Sequence, residues 1–194
     1  MKPSTPALIL GALATVLGLS AMQRGPSRGG SATSRVPTTY LMRSAQAIRG
    51  LNSTLQATVN ELLARAYLAG IPVIVASGAR TYEEQEAIYA QGRTAPGAIV
   101  THARPGESWH NFGLAVDFAF IDPSVAGGMG KVIWPWPSDP AMWERLGVIG
   151  EALGLVWGGR FAQVDRPHFE YHPGMRLSDA RAGMRPMEEP RRVA

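Results

Sequence analysis

Apolar residues change their period several times along this chain, and each change marks an element. In "NSTLQATVNELLARAYLAG", Leu55, Val59, Leu62, Leu63 and Ala66 recur at helical spacing, with Asn52 or Ser53 as cap and Gly70 as stop. The run "IPVIVASG" predicts a buried strand over Ile71 to Ala76. "TYEEQEAIYAQG" opens on a Thr81-x-x-Glu84 capping box and ends at Gly92, which predicts a short helix. Residues 93–107 form a Gly/Pro loop, Leu114 to Phe120 a strand, and Asp122 to Pro137 a second loop rich in Gly, Pro and Trp. "SDPAMWERLGVIGEALG" has a Ser/Asp cap, Pro140 in the first turn and Gly154 past the end, the signature of a helix. "LVWGG" and "HFEYH" are short strand candidates. Helices and short strands mixed with long loops predict an α+β fold with a small antiparallel sheet.

The two ends read differently. Residues 1–22 contain an apolar run from Pro6 to Met22, between the usual lengths of a signal-peptide core and a membrane span. A cleaved signal peptide and a retained signal anchor both remain open, and either implies export or membrane anchoring. Residues 23–37 are rich in Gly, Ser, Arg and Pro and read as a flexible linker. The folded domain is expected over 38–177, followed by a loose tail over 178–194 that lacks apolar periodicity. No internal repeat is present.

Composition narrows the chemistry. Hydrophobic residues make up 45% of the 194, enough for a real core. With no cysteine, disulfides, Cys-ligated zinc and thiol catalysis are excluded. The net charge of +4 suits an anionic partner such as a lipid surface or a cell wall. No Lys/Arg run interleaves with aromatics, so nucleic acid is not an expected partner.

One polar position is costly. Asp117 interrupts the apolar run Leu114 to Phe120, and a carboxylate there needs a cation. Strand alternation puts Ala115 and Asp117 on one face and Val116 and Phe118 on the other. His110 and His168 complete a set of three N/O ligands that would leave one position of a tetrahedral metal site open for water. Asp165, three residues before His168 and stiffened by Pro167, is placed to act as general base. Glu170 shares a strand face with His168 and is the rival for that task. His102 and His172 read as ordinary polar residues, His172 lying too far along the strand to share the metal.

"SGARTYEEQ", "SWHNFGLAVDF" and "WGG…DRPHFE" together resemble the zinc D-alanyl-D-alanine carboxypeptidase and L-alanyl-D-glutamate endopeptidase family, the VanY-type peptidases. The family pattern Ser-x-His-x-x-Gly-x-Ala-x-Asp is met by Ser108, His110, Gly113, Ala115 and Asp117. Asp165 and His168 meet a second block, and Arg80 stands in the upstream Ser-Gly-x-Arg. The likeness spans roughly residues 50–172 and leans toward the endolysin-like L-alanyl-D-glutamate peptidases. It implies a Zn2+ ion in the cleft and peptidoglycan stem peptides as substrate. Arg80 then faces a substrate carboxylate or the oxyanion of the tetrahedral intermediate. Ser108 is a candidate for holding a ligand or touching substrate, and Trp157 for walling the cleft, with a core position as its alternative. A monomer acting at the wall is expected. Two other readings stay open: a D-alanyl-D-alanine carboxypeptidase of the same family, and a non-catalytic wall-binding module.

Overall fold

The computed structural model describes residues 38–122, 131–132 and 140–186. The apolar run of 6–22, the linker and most of the second Gly/Pro loop lie outside them. So do the proposed Ser/Asp cap before Pro140 and the tail beyond 186. Among the described residues no helix is long and apolar enough to cross a membrane.

Among the described residues five α-helices and five strands follow in the order α1 (Thr38–Ile48), α2 (Ser53–Leu68), β1 (Val73–Ser77), α3 (Tyr82–Ala90), β2 (Ala115–Asp122), β3 (Lys131–Val132), α4 (Pro140–Ala152), β4 (Val156–Trp157), β5 (His168–Glu170) and α5 (Leu177–Arg181). The sheet is antiparallel, in order β1-β2-β5-β4, with β3 paired to the end of β2. This is the expected α+β architecture. Asn52 caps α2 by accepting from the N–H groups of Thr54 and Leu55, and the Thr81/Glu84 box closes α3.

One face of the sheet carries the core. Val116, Phe118 and Phe120 of β2 project into it and meet Leu55, Val59 and Leu62 of α2, Trp143 and Leu146 of α4, and Phe169 of β5. Phe169 stands opposite both Val116 and Trp157 and packs edge-on to Phe118 at 5.2 Å. The alternation that buries Phe169 turns its neighbours His168 and Glu170 to the other face.

Several elements among the described residues were not expected, among them β3, which falls inside the stretch read as the second Gly/Pro loop because its pairing with β2 is not a local property. Helix α1 lies along β1, where the Ser44 hydroxyl accepts from the Val75 N–H and covers the edge of the sheet. A 3-10 turn, Trp109–Phe112, precedes β2. The tail is not loose from 178 onward: α5 buries Ala180, and Arg181 donates to the Gly106 carbonyl at 2.8 Å. That segment is too short to show a period, and tertiary contacts define it.

Because Phe169 anchors the strand that carries His168, Phe169→Ala is expected to destabilise the protein by about 3–5 kcal/mol. The measurement is a urea midpoint, which should fall without a change in slope.

Candidate metal centre and active-site cleft

The β2–β5 register sets Asp117 directly opposite His168, so both side chains stand on the same, open face of the sheet. Between Val75 and Ser77 the β1 ladder shifts register, and Ser77 then pairs with Asp117. His110 comes from the 3-10 turn, whose first N–H groups need a partner. Ser108 supplies one, its hydroxyl accepting from the His110 N–H at 3.3 Å. His110 is buried, whereas Asp117 and His168 are partly open to the cleft.

The three groups meet closely. His110 Nε2 lies 3.3 Å from His168 Nδ1 and 3.4 Å from Asp117 Oδ2, and His168 Nδ1 lies 3.0 Å from Asp117 Oδ1. A tetrahedral ion with bonds of about 2.0–2.1 Å separates its ligands by about 3.3–3.4 Å, so the spacing fits. Among the described residues these three are the group that could hold a metal ion. Two imidazoles and one carboxylate form a donor set suited to zinc and its neighbours.

The outer hydrogen bonds select the inward-facing nitrogens. His110 Nδ1 lies 2.7 Å from the Gly78 carbonyl, which accepts only, so Nδ1 carries a proton and Nε2 is the nitrogen that faces the site. Gly78 has no room for a side chain, because a Cβ there would sit 1.8 Å from the Ala47 carbonyl of α1. His168 Nε2 lies 2.9 Å from Glu170 Oε1 and donates to it, which turns Nδ1 inward.

Electrostatics follow from this packing. Burial pushes the Asp117 carboxyl up, but the imidazoles of His110 and His168 outweigh it and hold the group well below the usual carboxylate range. Burial pulls His168 down, yet its bonds to Asp117 and Glu170 carry it up to about 10. Burial likewise opposes the ionisation of Glu170, and the donors His168 and His172 overcome it, bringing it to about 2.

Asp165 reaches the same cleft from the loop before β5. Its N–H donates to the Gly158 carbonyl at 2.9 Å, and the Trp157 indole N–H donates to the Arg166 carbonyl at 2.8 Å. Gly158 must lack a side chain, since a Cβ would approach the Asp165 carbonyl to 2.3 Å. The Asp165 carboxyl is raised above its ordinary value, first by the surrounding protein and further by Asp117 and Glu170, with His168 and His110 opposing. Arg80 donates to two neutral oxygens, Gln85 Oε1 at 2.9 Å and Ser77 Oγ at 3.1 Å, and has no carboxylate partner among the described residues.

The cleft has a volume of about 540 Å³ and is lined by Arg80, Ser108, His110, Asp117, Asp165, His168 and Glu170. Ile88, Val100, Phe161 and Leu177 supply an apolar side. Of the sequence candidates, Trp157 does not line it. Trp157 is buried in the core beside Phe169, so its link to the site runs through the Arg166 carbonyl. His102 is exposed and outside the cluster. His172 stays outside the three-residue group, as its distance along the strand predicts, and meets Glu170 instead. Strand β5 ends at Glu170, and two residues on His172 Nε2 comes to 2.8 Å from Glu170 Oε2.

Two family models, both described as D-alanyl-D-alanine carboxypeptidase, match residues 101–171 and 49–127. The peptidoglycan L-alanyl-D-glutamate endopeptidase CwlK of Bacillus subtilis (strain 168) is 38% identical over 129 residues, which cover 63% of this chain and 74% of that protein. Among solved structures, the L-Ala D-Glu endopeptidase ChiX of Serratia marcescens is 22% identical with a TM-score of 0.47, covering 67% of this chain and 86% of that one. VanYB in complex with D-alanine-D-alanine is 20% identical with a TM-score of 0.43, covering 70% and 84%.

The shifts fix how metal uptake depends on pH. In the metal-free protein the raised His168 stabilises the fold fully below its ordinary value near 6.5, and this is lost as pH rises through about 10. The lowered Glu170 stabilises above its ordinary value near 4.5, and this is lost as pH falls toward about 2. A metal ion must displace the His168 proton. Binding at pH 7.5 should therefore release roughly one proton per ion, and affinity should rise with pH. Calorimetry in buffers of different ionisation enthalpy measures this. A binding heat independent of buffer would mean that His168 enters the site already neutral.

Proposed function

The chain belongs to the family of D-alanyl-D-alanine carboxypeptidases and L-alanyl-D-glutamate endopeptidases, and on that premise we propose that it is a zinc peptidase of peptidoglycan stem peptides, cutting the L-alanyl-D-glutamate bond. The observation that carries this reading is the convergence of His110, Asp117 and His168 with two uncommitted charges, Asp165 and Arg80, on one cleft.

His110 Nε2, Asp117 and His168 Nδ1 would hold the ion. Zinc in such a site supplies a Lewis acid and lowers the pKa of a water to about 7. Asp165 takes the proton of the attacking water on a carboxylate oxygen and hands it to the departing amine. Its raised pKa suits it to both halves of that exchange. Glu170, the rival base, is poorly placed for the task, because both its oxygens are occupied by imidazole donors. Ser108 acts through the backbone of His110.

Arg80 accounts for the substrate class. In a stem peptide D-glutamate continues through its γ-carboxyl, so its α-carboxylate stays free beside the scissile amide. The terminal residue of D-alanyl-D-alanine offers a free carboxylate in the same relation to the bond. A guanidinium held by two neutral acceptors is suited to that group. The likeness to CwlK favours the L-alanyl-D-glutamate bond, and the family models favour D-alanyl-D-alanine. The substrate lies outside the cytoplasmic membrane, and the apolar run of residues 6–22 is the segment proposed to carry the enzyme there.

Mass analysis of muropeptides digested by the full chain separates the readings. New N-terminal D-glutamate is expected. Loss of terminal D-alanine alone would reassign the protein as a carboxypeptidase, and no product would favour a wall-binding module. Chelation should stop turnover, and zinc should restore it.

The base assignment has its own test. Asp165→Asn is expected to retain zinc and fold while losing about 10²–10⁴ in kcat. If Glu170→Gln lost the rate while Asp165→Asn stayed active, the two roles would be exchanged.

A further inference from the structure

Outside the three ligands, a line of side chains runs away from the site. Glu170 joins two imidazoles: Oε1 lies 2.9 Å from His168 Nε2 and Oε2 lies 2.8 Å from His172 Nε2. A carboxylate only accepts, so each facing nitrogen carries a proton. The His172 ring stacks on Trp109 with centroids 4.3 Å apart and planes 5° from parallel. Trp109 is the residue before His110. The line therefore starts at the segment carrying one ligand and ends on another.

We propose that Trp109, His172 and Glu170 form an outer brace that fixes His168 with Nδ1 toward the metal, Glu170 and His172 being positioning residues for metal capture. The inference rests on the metal reading above. An imidazole rotated by half a turn about Cβ–Cγ puts Cδ2 where Nδ1 stood, and the partner at the far nitrogen decides which orientation persists. Glu170 is that partner. A carboxylate held by one bond can swing, and this one borders the cleft. His172 takes its second oxygen and stops the swing. Trp109 in turn holds the His172 ring flat, so the two ligand-bearing segments are tied at their outer ends as well as at the metal.

The test uses the full chain and zinc itself, with affinity measured by competition against a chromogenic chelator. Loss of an outer partner typically weakens a metal site about 10–100-fold. His172→Phe keeps the stack on Trp109 but removes the donor, and is expected to weaken zinc about tenfold. His172→Gln restores an N–H and should remain within about threefold of wild type. A second readout is independent of activity. In long-range proton–nitrogen spectra of the zinc-loaded protein, His168 should bear its proton on Nε2. That proton should exchange with water at least about tenfold faster in His172→Phe, because its acceptor is no longer held. Unchanged affinity together with unchanged exchange in His172→Phe would overturn the brace. Should that variant not fold, Glu170→Gln replaces it, with at least about fivefold weaker zinc expected and wild-type affinity overturning the proposal. Wild-type protein that takes up no zinc would remove the metal reading and this inference together. Wild-type uptake with unaltered variants would remove the brace alone.

Discussion

The structure is organised around the need to hold a carboxylate inside a sheet. Asp117 sits between fully buried neighbours, Val116 and Phe118, and a charge in that setting is stable only where cationic and donor groups surround it. Two imidazoles meet it at 3.0 and 3.4 Å. Each imidazole is oriented from behind, His110 by the Gly78 carbonyl and His168 by Glu170. Around those second partners lies a third tier: α1 packs its backbone against Gly78, and His172 closes on Glu170. Removing any tier exposes the one within it to rearrangement. This is why helix α1, which supplies no group to the cleft, still bears on the chemistry.

The sequence disclosed the residues better than their arrangement. The period of α2, the caps at Asn52 and Thr81 and the alternation through Val116, Asp117 and Phe118 are local properties, and local physics is enough to read them. Register is not local. That Asp117 stands opposite His168 across 51 positions follows from how β2 and β5 bury Val116 and Phe169 together, which no single segment records. The same limit hid α1 and α5. Helix α1 is defined by its packing on the β1 edge, and α5 by Ala180 and the Arg181 bond to Gly106. Trp157 shows the reverse case. An aromatic beside a Gly-Gly pair suggests a cleft wall, yet the short β4 turns it inward against Phe169, and only its indole N–H bears on the loop that carries Asp165.

The cleft divides its labour between rigid and uncommitted groups. His110, Asp117, His168 and Glu170 are fully engaged with one another. Asp165 and Arg80 are held differently. Backbone contacts from Gly158 fix the Asp165 loop while its carboxylate faces the cleft, and two neutral oxygens steady Arg80 without neutralising it. A charge already spent on a salt bridge would have to be released before meeting substrate, at a cost that lowers its usefulness. Neutral acceptors avoid that cost and still restrict the guanidinium, which leaves electrostatic stabilisation available at the moment charge develops.

That division also bears on how members of one family act on two different bonds. Cleavage of D-alanyl-D-alanine and of L-alanyl-D-glutamate asks the same of the reacting centre: a polarised carbonyl, a base for one proton, and a cation for the carboxylate beside the departing amine. The substrates differ on both sides of the bond: the carbonyl belongs to D-alanine in one and L-alanine in the other, and the amine residue ends in a methyl group in D-alanine but continues into the rest of the stem in D-glutamate. Discrimination therefore falls to the walls of the cleft that meet those side chains, not to His110, Asp117 or His168. In this chain the apolar side of the cleft is assembled from Ile88 of α3, Val100 and Phe161 of two loops, and Leu177 at the start of α5. These residues lie outside the strands that carry Asp117 and His168, with α5 tied by Arg181 to Gly106 of the loop that carries Val100, and such positions vary in sequence more freely than the charged core. Fixed chemistry on paired strands and variable walls on loops let one scaffold change the bond it cuts while its mechanism stays the same.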